Sequence, residues 1–143
     1  MAEITWQPYE PLPEYSHLMP SDTTLWNRFL VAYPDIYTAV AYDVLVGVGT
    51  SPPPDIPPDL IDMWAFLTAR KIDVLARTDT ARTIIELKPN AGLSAIGQLI
   101  GYRILFSDSY PMEPTPSLLL ITDFLKPDIS TICTALDISI TVV

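Results

Sequence analysis

The amino-acid sequence predicts an α/β fold, a single domain in which a mixed central β-sheet is flanked by helices. Three observations carry this. Residues 70–88 form two apolar, β-branched runs joined by a short polar turn, the pattern of a hairpin. Residues 93–106 keep apolar side chains at helical spacing. Leu118-Leu-Leu-Ile-Thr122 is a continuous apolar run of the kind found in buried parallel strands.

Residues 1–20 interleave Pro8, Pro11, Pro13 and Pro20 with Trp6, Tyr9, Tyr15 and Met19. Prolines at this density forbid regular helix and favour an extended path, while the aromatic side chains need a surface to cover them. Residues 1–20 therefore read as an arm that lies on its own domain, residues 21–143, or on a partner, including a second copy. Ser21, Asp22, Thr23 and Thr24 offer N-caps for a helix over residues 25–33, whose apolar positions 25, 26, 29, 30 and 33 share a face before Pro34 ends it. Residues 36–46 are β-branched and aromatic, a first strand. Gly47 to Pro58 is a stiff, proline-rich loop. Residues 60–67 fit either a short helix or a strand.

Residues 70–77 and 82–88 are the second and third strands around a turn at 78–81, and Pro89-Asn-Ala-Gly92 breaks the third. The helix over 93–106 carries Gly97 and Gly101 four apart, a spacing that lets a strand approach closely. Residues 107–116 form a loop, 118–122 a strand, 128–136 a short helix and 137–143 a closing strand. The order is helix, three strands, helix, strand, helix, strand, with no internal repeat and no linker.

A chain of 143 residues, 49% hydrophobic and 17% charged, has a globular composition. No run approaches the roughly 18 apolar residues of a membrane span. The first eight residues have neither a basic start nor a continuous apolar segment, so the expected location is cytoplasmic, or virion-associated for a phage-encoded chain, and not secreted. Cys133 is the only cysteine and His17 the only histidine, which excludes a disulfide framework and a Cys/His zinc site within one chain. Cys133 reads as a small core residue and His17 as a surface or interface group.

Net charge is −9, which by itself argues against nucleic acid. Its distribution differs. Residues 1–69 hold one basic residue against nine acids, net −8; residues 70–103 hold six against three, net +3; the remainder holds one against five, net −4. Arg70, Lys71, Arg77, Arg82 and Arg103 are candidates for contact with nucleic acid; the same pattern also fits charged strand ends and turns facing water.

Asp73 and Glu86 each interrupt an otherwise apolar strand, where an isolated charge is expensive unless paired or bound to metal. Glu86 and Lys88, two apart, share a face, and a hairpin around residues 78–81 brings Asp73 to them. Asp73, Glu86 and the Leu87 carbonyl supply the hard oxygen donors chosen by Mg²⁺ or Mn²⁺. A cation there neutralises charge on a phosphate and activates water, with Lys88 assisting the nucleophile, a set suited to phosphodiester hydrolysis. Gln98 and Tyr102 share one face of the following helix. The alternative is a buried ion-pair network without catalysis.

Asp73, twelve residues, then Glu86-Leu-Lys88 resembles the PD-(D/E)xK nuclease superfamily, and Gln98-Leu-Ile-Gly-Tyr102 is similar to the Gln-xxx-Tyr motif of its RecB-type branch. The element order matches that restriction-endonuclease-like core over roughly residues 22–143. The resemblance implies a Mg²⁺- or Mn²⁺-dependent endo- or exodeoxyribonuclease acting on DNA, with Asp73 and Glu86 as metal ligands, Lys88 as the catalytic lysine, and Gln98 and Tyr102 organising the site or touching DNA. The pattern departs at one point. Members usually bring a Glu from the first helix, yet residues 25–33 contain no acid, and Asp22, Asp35 and Asp43 fall outside that predicted helix. A catalytically inactive assembly subunit of nuclease fold, for example in a phage particle, binding partners through residues 1–20, is the second expectation.

Overall fold

Long apolar strands have to be covered on both faces, and the computed structural model, which describes residues 3–143, covers them with helices on each side. A two-residue strand, β1 (Gln7–Pro8), precedes α1 (Pro20–Ala32), β2 (Ala39–Val46), α2 (Ile61–Thr68), β3 (Arg70–Arg77), β4 (Arg82–Leu87), α3 (Leu93–Ser109), β5 (Ser117–Thr122), α4 (Pro127–Ala135) and β6 (Ile138–Val142). One sheet holds all six strands in the order β1-β2-β3-β4-β5-β6. Neighbours from β1 to β4 are antiparallel, and β4, β5 and β6 run parallel, joined by the crossover helices α3 and α4. The expected single-domain α/β fold with a mixed sheet is the fold observed.

On one face Ile84, Leu118 and Leu120 pack with Ala95, Ile96, Leu99 and Phe106 of α3 and Ile129 and Cys133 of α4. The other face carries Val74, Ile85, Leu87 and Ile121 against Leu25, Trp26, Phe29 and Leu30 of α1. The proline-rich arm completes this second core. Tyr15 is buried there, and its hydroxyl donates to Asn27 Oδ1 at 2.7 Å. Tyr9 packs edge-on against Trp26 and Tyr37, and its hydroxyl donates to the Tyr33 carbonyl at 2.6 Å. The arm thus lies on its own domain, and its Pro8 sits in an edge strand, where a missing N–H is tolerated.

Several boundaries differ from the sequence pattern. The first helix opens at Pro20, five residues before its apolar periodicity begins, because proline is already set for the first helical position. The first strand begins at Ala39 instead of 36, behind Asp35 in a left-handed conformation with φ +64°. Of residues 60–67, Leu60 ends a 3₁₀ turn at Pro58–Leu60 and the others lie in the helix α2. The helix expected over 93–106 runs on to Ser109, ahead of Tyr110-Pro111. The third strand stops at Leu87, although the Lys88 N–H still donates to the Ile121 carbonyl at 3.0 Å. Gly97 and Gly101 do not admit a strand: a Cβ at either would meet nothing within 4 Å.

Trp26 is 0% exposed, stacks on Phe29, and donates from Nε1 to the Tyr42 hydroxyl at 2.9 Å. Trp26→Ala empties this core and removes a hydrogen bond between α1 and β2. The expected loss is about 3–5 kcal/mol of unfolding free energy, read as a lower midpoint in urea denaturation with an unchanged slope.

Candidate active site

The carboxylates collect where the sheet rotates. In β2 and β3, Tyr42 pairs with Val74 and Val44 with Ile72, but Asp43 and Asp73 between them do not pair. Asp43 has φ +53°, a left-handed conformation that Asp tolerates better than most residues. Tyr42 and Val74 belong to the α1-side core, whereas Val44 and Ile72 belong to the α3-side core. Residues two apart in a strand ordinarily share a face, so both strands turn over at the two aspartates. Glu86 comes into line with Asp73 one step beyond the paired Val74 and Ile85, and its other neighbour is Leu120 of β5.

Glu86 is 4% exposed, and its Oε2 is buried without a hydrogen-bond partner. Among the described residues it is the one buried side-chain nitrogen or oxygen left so. Burial pushes its carboxyl up to about 8, the negative charge of Asp73 adds to this, and Lys88 opposes it. Asp73 is pushed up to about 6, first by burial, then by the charges of Asp22 and Asp43, again against Lys88. Asp22, in the first turn of α1, and Asp43 are raised as well, chiefly by burial, with Lys88 acting on the former and His17 and Lys71 on the latter. His17 Nε2 lies 3.3 Å from Asp43 Oδ2.

Asp22 corrects the expectation that the first helix brings no acid. The helix starts earlier than its periodicity, so Asp22 falls inside it and acts electrostatically on Asp73, Glu86 and Lys88. Pro20 ahead of a polar turn was the available signal. Asp43 is noted from the sequence only as lying outside the first helix and is given no place in the site there. It interrupts Tyr42 and Val44 just as Asp73 interrupts Ile72 and Val74.

The remaining residues sort by position. Lys88 is exposed at the end of β4, and the turn after it is pinned by Asp123 Oδ1 accepting from Asn90 N–H at 2.8 Å and Thr122 Oγ1 accepting from Ala91 N–H at 3.2 Å. Leu87 buries its side chain in the α1-side core, so its carbonyl is the only oxygen it offers. Tyr102 is half-buried, and its hydroxyl is pushed up to about 12 by burial and by Glu86 and Asp73, with Arg70 opposing. Arg70, Tyr102 and Leu105 line two clefts of about 460 and 380 Å³; Lys71, Thr68 and Gly47–Thr50 also line the first, and Ser94, Gly97, Gln98 and Gly101 the second, while Asp73, Glu86 and Lys88 line neither. A larger cavity of about 670 Å³, beside Gly92, Leu93 and α4, contains none of these groups.

Arg77 and Arg82 stand at the other end of the hairpin and are engaged there. The Arg77 guanidinium is 4.3 Å from the Trp6 ring centre, and Arg82 is 5.4 Å from the same ring with Nε 2.8 Å from Glu113 Oε2. The cationic stretch therefore divides, and only Arg70 and Lys71 border the cleft. Arg103, the residue after Tyr102 on α3, is half-buried and in no ion pair among the described residues.

Among the described residues no three Asp, Glu, His or Cys side chains converge closely enough to enclose a metal ion. Two carboxylates with a backbone carbonyl remain, a donor set that fits Mg²⁺, which ordinarily keeps several of its waters. The unpartnered Glu86 Oε2 and the mutual repulsion of the acids fit the same need for positive charge. Comparison with protein-family models, with curated proteins and with solved structures gave no match for this chain.

The carboxyl shift makes stability fall with pH. Folded Glu86 keeps its proton up to about 8 whereas its ordinary value is 4.5, so between these values the folded state holds the extra proton and stability declines as pH rises. Glu86→Gln, which removes this titration, is expected to match the wild type near pH 4.5 and to exceed it near pH 8 by on the order of 1 kcal/mol, about 2–4 °C in Tm. Thermal unfolding of the metal-free proteins at both pH values reads the crossing.

Proposed function

We propose that this chain is a Mg²⁺- or Mn²⁺-dependent nuclease that hydrolyses DNA phosphodiester bonds. The observation that carries the reading is Glu86, a buried carboxylate with an unpartnered oxygen, set beside Asp73 and under the influence of Asp22 and Lys88. Asp73 and Glu86, with the Leu87 carbonyl, would hold the cation, and Asp22 on α1 would orient the water around it. When bound there, the cation lowers the pKa of a bound water and neutralises charge on the phosphate.

The other groups act through their own chemistry. Lys88 carries its ammonium at the exposed end of β4, where it holds a phosphate oxygen and the attacking water together. Tyr102 keeps its proton through neutral pH and so donates from its hydroxyl to a phosphate oxygen. Gln98, one turn earlier, presents an amide to the same cleft. Arg70 and Lys71 neutralise phosphates at its edge. Because the rest of the chain is acidic, contact with DNA is confined to this cleft and steeply salt-sensitive.

Incubation of a labelled oligonucleotide with protein and Mg²⁺ or Mn²⁺ is expected to give cleavage that chelator abolishes. Asp73→Asn, Glu86→Gln and Lys88→Met are expected to lose about 10²–10⁴-fold in rate while remaining folded, and Asp22→Asn about 10–100-fold. Calorimetric titration that detects no cation and assays that detect no cleavage would sink the reading; cation binding without cleavage would point to the assembly role.

Protons on Glu86 and Asp73 compete with the cation. Mg²⁺ affinity is therefore expected to rise as pH rises through about 6 to 8, with proton release on binding that varies the observed heat between buffers of different ionisation enthalpy.

A further inference from the structure

The two edges of the sheet are built differently. β1 is two residues long and includes Pro8, both of which blunt an edge against pairing with another chain. β6 has neither protection. Residues 138–143, Ile-Ser-Ile-Thr-Val-Val, carry no charge and no proline and are β-branched everywhere but at Ser139. The strand runs parallel to β5, and the Val143 N–H donates to the Thr122 carbonyl at 3.0 Å. Main-chain groups alternate in direction along a strand. Ser139 and Thr141 therefore turn theirs to β5, while Ile138, Ile140 and Val142 turn theirs away from the sheet, where they meet no main-chain partner among the described residues.

The order of side chains selects the occupant. Read in either direction, β6 is apolar, hydroxyl, apolar, hydroxyl, apolar. A second copy of β6, laid antiparallel about a two-fold axis at Ile140, sets Ile140 against Ile140, Ile138 against Val142 and Ser139 against Thr141. In that register every outward main-chain group faces another, and the pairs at Ile140 and at Ile138–Val142 each exchange both N–H···O=C bonds. The side chains agree with the main chain. Ile138 and Ile140 belong to the α3-side core, and Val142, on the same face and 49% exposed, gains Ile138 of the second copy as cover. On the opposite face Ser139 and Thr141 meet as a hydroxyl pair. The chain carries a net −9, so two copies repel over much of their surfaces, but this edge is neutral. Its flanking acid, Asp137, falls opposite Val143, which leaves the Asp137 side chains of the two copies roughly 20 Å apart at about 3.4 Å per residue, well beyond the screening length of about 8 Å.

We propose that β6 is a dimerisation edge, through which two copies of this chain join antiparallel about Ile140 and continue one sheet across both. The contact is small, so dissociation is expected on the order of micromolar. It stands independently of the nuclease reading, since its test measures assembly and not cleavage.

Sedimentation velocity of the full chain between about 1 and 200 µM spans that range and is expected to show a monomer–dimer equilibrium. Val142→Pro removes an N–H that β5 does not use, so it is expected to keep the wild-type circular dichroism spectrum and to stay monomeric throughout. A second pair of variants reads the register without depending on that one. Ser139 and Thr141 form a pair without mutual main-chain bonds, where Cα atoms approach to about 4.5 Å, within reach of a disulfide. Ser139→Cys and Thr141→Cys chains, mixed and mildly oxidised, should cross-link several-fold more than either chain alone, because like positions sit only diagonally; Cys133 is 0% exposed and does not compete. A wild type that remains monomeric throughout, a dimer that survives Val142→Pro, or a mixture that cross-links no more than its components would each overturn the proposal.

Discussion

The rest of the structure is arranged around two carboxylates taken out of water in the middle of an apolar sheet. Glu86 has Ile85 and Leu87 beside it in β4 and Leu120 opposite in β5, surroundings that offer hydrophobic packing and no donor to its Oε2. Such a group resists ionising, and a second acid alongside makes it resist more. Nothing in packing alone favours Asp73 and Glu86 over aliphatic residues here; replacing buried charge by a well-packed apolar side chain is often neutral or stabilising. In the nuclease proposed above, a positive ligand would relieve that penalty.

The surrounding elements bring weaker influences to that pair from both faces. α1 delivers Asp22 from one side, α3 delivers Tyr102 from the other, and Lys88 follows at the carboxyl end of the strand. In sheets with parallel strands the carboxyl ends are where ligands ordinarily bind, because the connections diverge there. The β2–β3 ladder opens at Asp43 and Asp73, so the site is built into a break in regular pairing. The arm closes one side: Tyr15 anchors it to α1, and His17 reaches Asp43.

What was legible in the sequence was what local periodicity encodes. Asp73, Glu86 and Lys88 could be aligned because strand side chains alternate, and Gln98 and Tyr102 because helical residues four apart share a face; of these, Gln98 and Tyr102 line a common cleft with Arg70. Asp22 escaped because the first turn of α1 has no buried residue, and apolar periodicity cannot register a turn that packs on nothing. The engagement of Arg77 and Arg82 by Trp6 depends on chain segments some seventy residues apart, for which no local pattern exists. Gly97 and Gly101 were a matter of sign: small residues mark a close approach or an open groove, and spacing does not say which. Residues 60–67 were ambiguous because their apolar stripe is not part of the core that periodicity ordinarily reports.

The order of strands across the sheet is their order along the chain. Each strand finds its partner already in place, and no later segment has to be inserted between two earlier ones. A ribosome releasing this chain from its N-terminus can therefore let the sheet grow one edge at a time, with Glu86 of β4 on the open edge until β5 arrives. Glu86 pairs with Leu120, so its burial in the sheet waits on residues 117–122.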